Sequence, residues 1–294
     1  MKAFDLNKKV WQWVVLLSLA LVWGSSFILM KKGLRSFDYM QVAAFRVFFA
    51  FIILLPVALK SIRKVNRKNI FHLILSGYAG IFFPAFLFTK AQSQISSSLA
   101  GMLNSLAPFF ALLIGVLLYK SRPGKFQYIG IFLGLIGAVG LISNGNIFES
   151  FTNINYYALY VVVATLGYGI NANEVKYKIK GLTGVEITSL SIMFTGLPAG
   201  IYLLTSDFSY AMSTPDWHLN LFFVFILALF GSSLALFFFN SLIQHTSALF
   251  ATSVTYIIPF FAIIWGVFDG EIITGIQIAS ILVALIGVAL VNKR

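Results

Sequence analysis

The chain has no cysteine, which excludes a disulfide framework, a thiolate metal site and a cysteine nucleophile. Carboxylates are scarce as well: nine Asp and Glu stand against 21 Lys and Arg in 294 residues. Asp5, Asp38, Glu149, Asp207, Asp216, Asp269 and Glu271 fall outside the apolar runs or at their edges, while Glu174 and Glu186 flank a basic turn. No acid–base carboxylate pair is formed. The histidines, His72, His218 and His245, are far apart, so no metal cluster is expected. A Gly-rich phosphate loop ending in Lys-Ser or Lys-Thr is missing, which excludes an ATP-driven pump. Gly-x-Ser-x-Gly and paired-histidine motifs are missing too, so the chain reads as no enzyme and calls for no cofactor.

What fills the chain instead is apolar: 59% of residues are hydrophobic, 10% are charged and mean hydropathy is +0.91. A soluble globule does not tolerate that balance, and a polytopic membrane protein follows. Runs near the roughly 20 residues that cross a bilayer lie at 11–30, 39–59, 70–89, 95–118, 126–143, 155–174, 185–204, 219–240, 246–268 and 272–291. The expected fold is all-α, with ten transmembrane helices and no room for a soluble domain.

A net charge of +12 suggests nucleic acid, but the placement of the charges excludes it. With the N-terminus inside, internal segments carry Lys2, Lys8, Lys9, the run Lys60 to Lys68, then Lys120, Arg122, Lys125, Lys176, Lys178, Lys180, Lys293 and Arg294. External segments carry only Lys31, Lys32, Arg35 and Lys90. This is the positive-inside pattern, and it puts both termini in the cytoplasm. The basic runs are a topology signal, with contact between Arg63–Lys68 and anionic lipid as the alternative. The first span resembles a signal peptide but lacks a small-residue cleavage site, so it reads as a retained helix. The lack of a targeting extension points to a bacterial inner membrane.

One stretch occurs twice. Ser96 to Val116 reads SSSLAGMLNSLAPFFALLIGV and Ser247 to Val267 reads SALFATSVTYIIPFFAIIWGV, matching at eight of 21 positions under a shift of 151. Pro108 and Pro259 align, and neither has an N–H for the carbonyl four residues back, on Asn104 and Thr255 respectively. Freed acceptors at membrane depth persist only beside protein or water. Matched breaks in two halves are the sequence pointer to a transporter's central site. The halves are read as 11–143 and 155–291, separated by the polar segment Asn144 to Asn155. Five helices each is an odd number, so the repeats must be inverted.

Under a shift of 145, Trp23, Gly24 and Ser26 face Tyr168, Gly169 and Asn171. An aromatic, a glycine and a hydrogen-bonding group serve either close helix packing or a cavity wall. Gly80 and Gly231 match under the shift of 151. Arg46 lies within the second span, where it either ties neighbouring helix carbonyls together or meets an anionic substrate group. Glu174 either pairs with Lys178 at i+4 or carries a proton. Gly130, Gly134, Gly137 and Gly140 in the fifth span, with Gly275 and Gly287 in the tenth, suit scaffold packing or a homodimer surface.

Trp23-Gly24-Ser25, Arg46, the Ala-rich entry to Pro108, Pro259 and Glu271 together resemble the EamA branch of the drug/metabolite transporter superfamily. The resemblance covers residues 11–291. It departs where the family commonly has Glu after the first broken helix, since Lys120 stands there and only Glu271 remains. It implies export of amino acids, metabolites or drugs through a central cavity.

The expected function is a secondary carrier for a small organic solute such as an amino acid, working by alternating access within the lipid bilayer. The expected substrate site is Trp23, Ser25, Ser26, Asn104, Ser105, Tyr168, Asn171, Thr255 and Tyr256, with Arg46 behind it or binding an anion. A lipid-handling flippase-like protein or an intramembrane enzyme is the alternative.

Overall fold

In lipid the backbone must satisfy its own hydrogen bonds, and helix is the only way a single apolar run can do so. The computed structural model describes residues 5–95, 97–143, 156–261 and 274–293, and helices form at every expected run. They are α1 (Lys9–Gly33), α2 (Tyr39–Lys64), α3 (Ile70–Gln92), α4 (Ser97–Asn104), α5 (Ala107–Tyr119), α6 (Lys125–Ser143), α7 (Tyr157–Asn173), α8 (Gly184–Thr205), a short α9 (Ser209–Ser213), α10 (Trp217–His245), α11 (Ala248–Phe261) and α12 (Gly275–Val291). Five of these, α1, α2, α3, α8 and α10, are long and apolar enough to cross a membrane. The segment 144–155 and Glu271 lie outside the described residues.

Capping side chains fix several entries. Asp38 accepts from the backbone N–H groups of Met40 and Gln41 at the start of α2, and Gln41 answers onto Asp38 N–H. Thr183 with Glu186, and Thr274 with Gln277, form the same reciprocal box before α8 and α12.

Two long helices carry wide π turns at corresponding places. In α3 the turn is Tyr78–Phe82, and the N–H of Phe83 reaches back five residues to the Tyr78 carbonyl. Pro84 explains it, because it leaves the Gly80 carbonyl without a partner and the helix widens around the gap. In α10 the turn is Leu227–Leu234, where the Ser233 hydroxyl donates to the Ala228 carbonyl at 3.0 Å. Gly80 and Gly231, aligned in sequence, each sit within one of these turns.

The proline breaks also fall as expected. The first separates α4 from α5, and in the second the chain tightens to a 3-10 turn, Ser253–Tyr256, inside α11. Pro108 and Pro259 are both buried, so the breaks face protein. Ser105 at the first break donates to the Thr255 carbonyl at 3.4 Å, the acceptor that Pro259 frees.

Packing pairs helices across the two halves: α2 with α8, α6 with α12, α3 and α5 with α7, and α10 with α1. Leu16, Leu73, Ile187, Leu242 and Phe250 are completely buried in the largest core cluster. Leu117, Phe132, Leu204 and Ile286 lie exposed on the outside, the pattern of a lipid-facing surface. Contacts also sort the loops. Lys64 pairs with Glu186 at 2.5 Å, and Lys293 lies over Phe126, which gathers the basic segments at one end. The opposite end is tied by Gln41 to the Asp207 carbonyl, by Asn220 to Ser36, and by Lys90 over the rings of Tyr39 and Tyr160.

Glycines of α6 are used inside the bundle. A Cβ on Gly137 would stand 2.4 Å from the backbone nitrogen of Ala284, and one on Gly287 would stand 2.4 Å from that of Gly134. Backbone cannot retreat as a side-chain tip can. Gly137→Val and Gly287→Val should each lower the melting temperature of the purified protein by the equivalent of about 1–3 kcal/mol, the usual cost of overpacking. Gly275→Ala, which meets nothing within 4 Å, should leave it unchanged.

Candidate functional site

Between the two halves lies a cavity lined from both. Helices α1, α2, α3, α10 and α11 contribute to it, as do the α4–α5 break and α7. From α1 come Trp23, Ser26, Phe27 and Met30, the i, i+3, i+4, i+7 stripe of one helix face. Facing them are Tyr168 and Asn171 of α7. Asn104 and Thr255, whose carbonyls the two prolines free, both line it.

Six of the nine expected site residues are thus brought together, and Arg46 joins them. Ser25, Ser105 and Tyr256 stand behind the wall. Ser25 is turned about 100° from the Trp23–Ser26 stripe by helix geometry, and its hydroxyl donates to the Leu21 carbonyl. Ser105 is completely buried and bonds to the Gly101 and Thr255 carbonyls, which makes it a fastening of the breaks. Tyr256 follows Thr255 in a 3-10 turn, where neighbours diverge by 120°. It is driven onto α6, with its hydroxyl on the Ile131 carbonyl at 3.0 Å and its ring against Gly134.

Sequence reasoning missed Phe27, Met30, Phe88 and Phe239 as wall residues. The first two were readable from the helix period once Trp23 was chosen. The others depend on which helices become neighbours, which periodicity does not carry. Phe88 stacks on Tyr168 at 5.9 Å, and Phe239 meets Trp23 edge-on at 5.2 Å.

One aromatic wall residue is held by a hydrogen bond to a π turn. Trp23 Nε1 donates to the Gly231 carbonyl at 2.9 Å, a group that the wide turn leaves accessible. A Cβ on Gly231 would come within 2.9 Å of Ser26 Oγ and displace that hydroxyl. Gly80 bears the same relation to Asn171, at 2.5 Å. Ser26 and Asn171 are aligned residues of the two halves, so one local arrangement is built twice.

The charge in the cavity is Arg46. Its Nε donates to Ser232 Oγ at 2.8 Å, and among the described residues no carboxylate lies within ion-pair distance. It therefore reaches across to α10 and does not turn outward to solvent. Asn104 Oδ1 is buried without a hydrogen-bond partner among the described residues, which leaves an acceptor as well as a cation beside the cavity.

Glu174 follows α7 in a third π turn, Glu174–Lys178. The widened turn takes Lys178 off the face below Glu174, and its Nζ lies instead over the Tyr119 ring at 6.0 Å. Glu174 is 3% exposed and accepts from the Tyr119 hydroxyl, with His72 Nδ1 at 2.6 Å from its other oxygen. Among the described residues no group of three His, Cys, Asp or Glu could hold a metal ion.

The model of the EamA-like transporter family matches residues 11–143 and again 155–293. The chain belongs to that family. Its relatives include "Uncharacterized inner membrane transporter YedA" of Escherichia coli K12, 26% identical over 94% of this chain and 89% of that protein. An "Uncharacterized transporter" of Haemophilus influenzae is 31% identical, over about half of each chain. A "Probable amino-acid metabolite efflux pump" of Salmonella typhimurium is 30% identical over 43% of this chain and 41% of its own length. A solved crystal structure covering 96% of both chains superposes with a TM-score of 0.71 at 13% identity, which supports the fold alone. Family and apolar helices together make this an integral membrane protein.

The Trp23–Gly231 bond can be removed without emptying the wall. Trp23→Phe should cost roughly 1–2 kcal/mol, the range of interhelical hydrogen bonds in model membrane peptides. Thermal denaturation in detergent would measure it. A loss near zero would mean that the bond does not hold the aromatic wall.

Proposed function

We propose that the chain is a secondary carrier that exports small organic solutes, amino acids or related metabolites, by alternating access. The observation that carries this reading is the cavity between the halves, in which the Arg46 guanidinium has a hydroxyl partner and no carboxylate. An uncompensated cation at membrane depth costs a few kcal/mol, and an anionic group on the cargo would offset it. Arg46 then holds the substrate carboxylate, the free Asn104 oxygen accepts from an amine, and Trp23, Phe27, Tyr168 and Phe239 cover the apolar remainder. The efflux-pump relative supports the amino-acid class, YedA supports an inner-membrane location, and the positive-inside charge pattern supports both termini facing the cytoplasm.

Alternation rests on two five-helix repeats, 11–143 and 155–291, inserted in opposite senses. Three equivalences support the inversion. The pair α3–α7 corresponds to α10–α1, Gly80 against Asn171 corresponds to Gly231 against Ser26, and the two proline breaks meet through Ser105. When each half takes up the conformation of the other, the cavity changes the side on which it opens.

Binding is separable from transport. Amino acids with large apolar side chains should raise the melting temperature of the purified protein, with about 2.7 kcal/mol gained at a hundredfold excess over Kd. Arg46→Gln should remove that gain for carboxylate-bearing ligands. If amino acids leave the wild type unmoved while organic cations stabilise it, the substrate class is wrong.

A further inference from the structure

We propose that His72, Glu174 and Tyr119 form a proton-binding site that fastens the two halves at the basic end and releases them on protonation. The idea rests on the carrier reading above, and it adds a ligand, the proton, and a place for it.

Helices α3 and α7 are joined by two rungs one helical turn apart. Ser76 Oγ donates to Asn171 Oδ1 at 2.5 Å, and one turn nearer the basic end His72 Nδ1 lies 2.6 Å from Glu174 Oε2. Asn171 lines the cavity and Glu174 is three residues further on, so the ladder runs from the cavity to the basic face. Tyr119 at the end of α5 closes the cluster by donating to the other Glu174 oxygen. Two first-half helices thus converge on one second-half carboxylate.

The surroundings give the proton a route. Glu174 is buried while the His72 side chain keeps 24% of its surface exposed, so imidazole is the group that water can reach. Other charged groups nearby are engaged elsewhere. Lys176 donates to the carbonyls of Ile243, Gln244 and Thr246 at the end of α10, and His245 contacts the Ser241 carbonyl. Lys178 lies over the Tyr119 ring, Tyr177 stacks on it at 5.7 Å, and Glu186 holds Lys64. Lys120, next to Tyr119, is exposed.

Repeat geometry shows that the cluster is special to one end. Under the two sequence shifts, Glu174 corresponds to Leu29 and His72 to Phe223, while Ser76 corresponds to Leu227. The positions equivalent to the His72–Glu174 pair are therefore apolar, with Lys32 Nζ 6.0 Å from the Phe223 ring.

With one proton on the pair, imidazolium faces carboxylate and Tyr119 completes the anion's shell. A second proton, taken from water at the basic face and passed to Glu174, cancels the carboxylate charge. The imidazolium then faces a neutral acid, and the attraction holding α3 and α5 to the π turn after α7 is lost. Acid should open the basic side of the cavity.

The lack of native cysteine permits a direct test. A single cysteine at the cavity residue Ala107 is labelled from the basic side with a membrane-impermeant maleimide, and the rate is divided by that of a control cysteine at exposed Gly124. In the wild-type background the ratio should rise as pH falls, by up to about tenfold per unit, the limit for one linked proton. Glu174→Gln should hold the ratio high and flat. His72→Gln should move the rise to higher pH, because the carboxylate loses its cationic partner. Infrared difference spectra should show a protonated carboxyl band at low pH that Glu174→Gln removes.

A flat wild-type ratio, or a pH dependence that survives Glu174→Gln, overturns the proposal. Should Glu174→Gln fail to fold, an unshifted profile in His72→Gln overturns it alone. If ligand still changes Ala107→Cys labelling while pH does not, only the proton site falls and the carrier reading stands.

Discussion

A backbone carbonyl without a donor is expensive in a lipid-surrounded bundle, and this protein opens its helices repeatedly near the middle. Two of the openings are closed by a partner from another segment. The Gly231 carbonyl in the α10 π turn takes the Trp23 indole, and the Thr255 carbonyl freed by Pro259 takes Ser105. In both cases donor and acceptor come from opposite halves. Irregular backbone is tolerated at this depth only where protein or a cavity meets it, so the breaks oblige the halves to stay together around the space between them.

That obligation explains why the cavity wall is aromatic and glycine-rich at once. Trp23 reaches the carbonyl of Gly231 within the wide turn, and the missing Cβ of Gly231 leaves room for Ser26 beside it. The same constraint appears at Gly80, where the Asn171 side chain occupies the position a methyl group would need. Small residues here set the distance between α3 and α7 and between α1 and α10. Those distances decide how much room a solute has.

The helix positions were legible because hydrophobic runs of bilayer length leave few alternatives. Much of the wall was legible too, since matched prolines mark freed carbonyls and helix period selects the face containing Trp23 and Ser26. Local geometry hid the rest. A 3-10 turn sends Tyr256 away from the face Thr255 occupies, and a π turn separates Glu174 from Lys178, so rules built on 3.6 residues per turn gave the wrong neighbour in both. The His72–Glu174 contact was out of reach for a different reason, being 102 residues apart in sequence. Only the adjacency of α3 and α7 brings it about.

The two ends of the bundle differ in a way the duplication does not require. Where one side has His72 and Glu174, the equivalent positions on the other are Phe223 and Leu29. An apolar seal weakens only when its surfaces part, whereas an ionic one also weakens when its charge is neutralised. Two identical halves would give the two ends the same groups. His72 and Glu174, whose repeat equivalents are Phe223 and Leu29, break that equivalence.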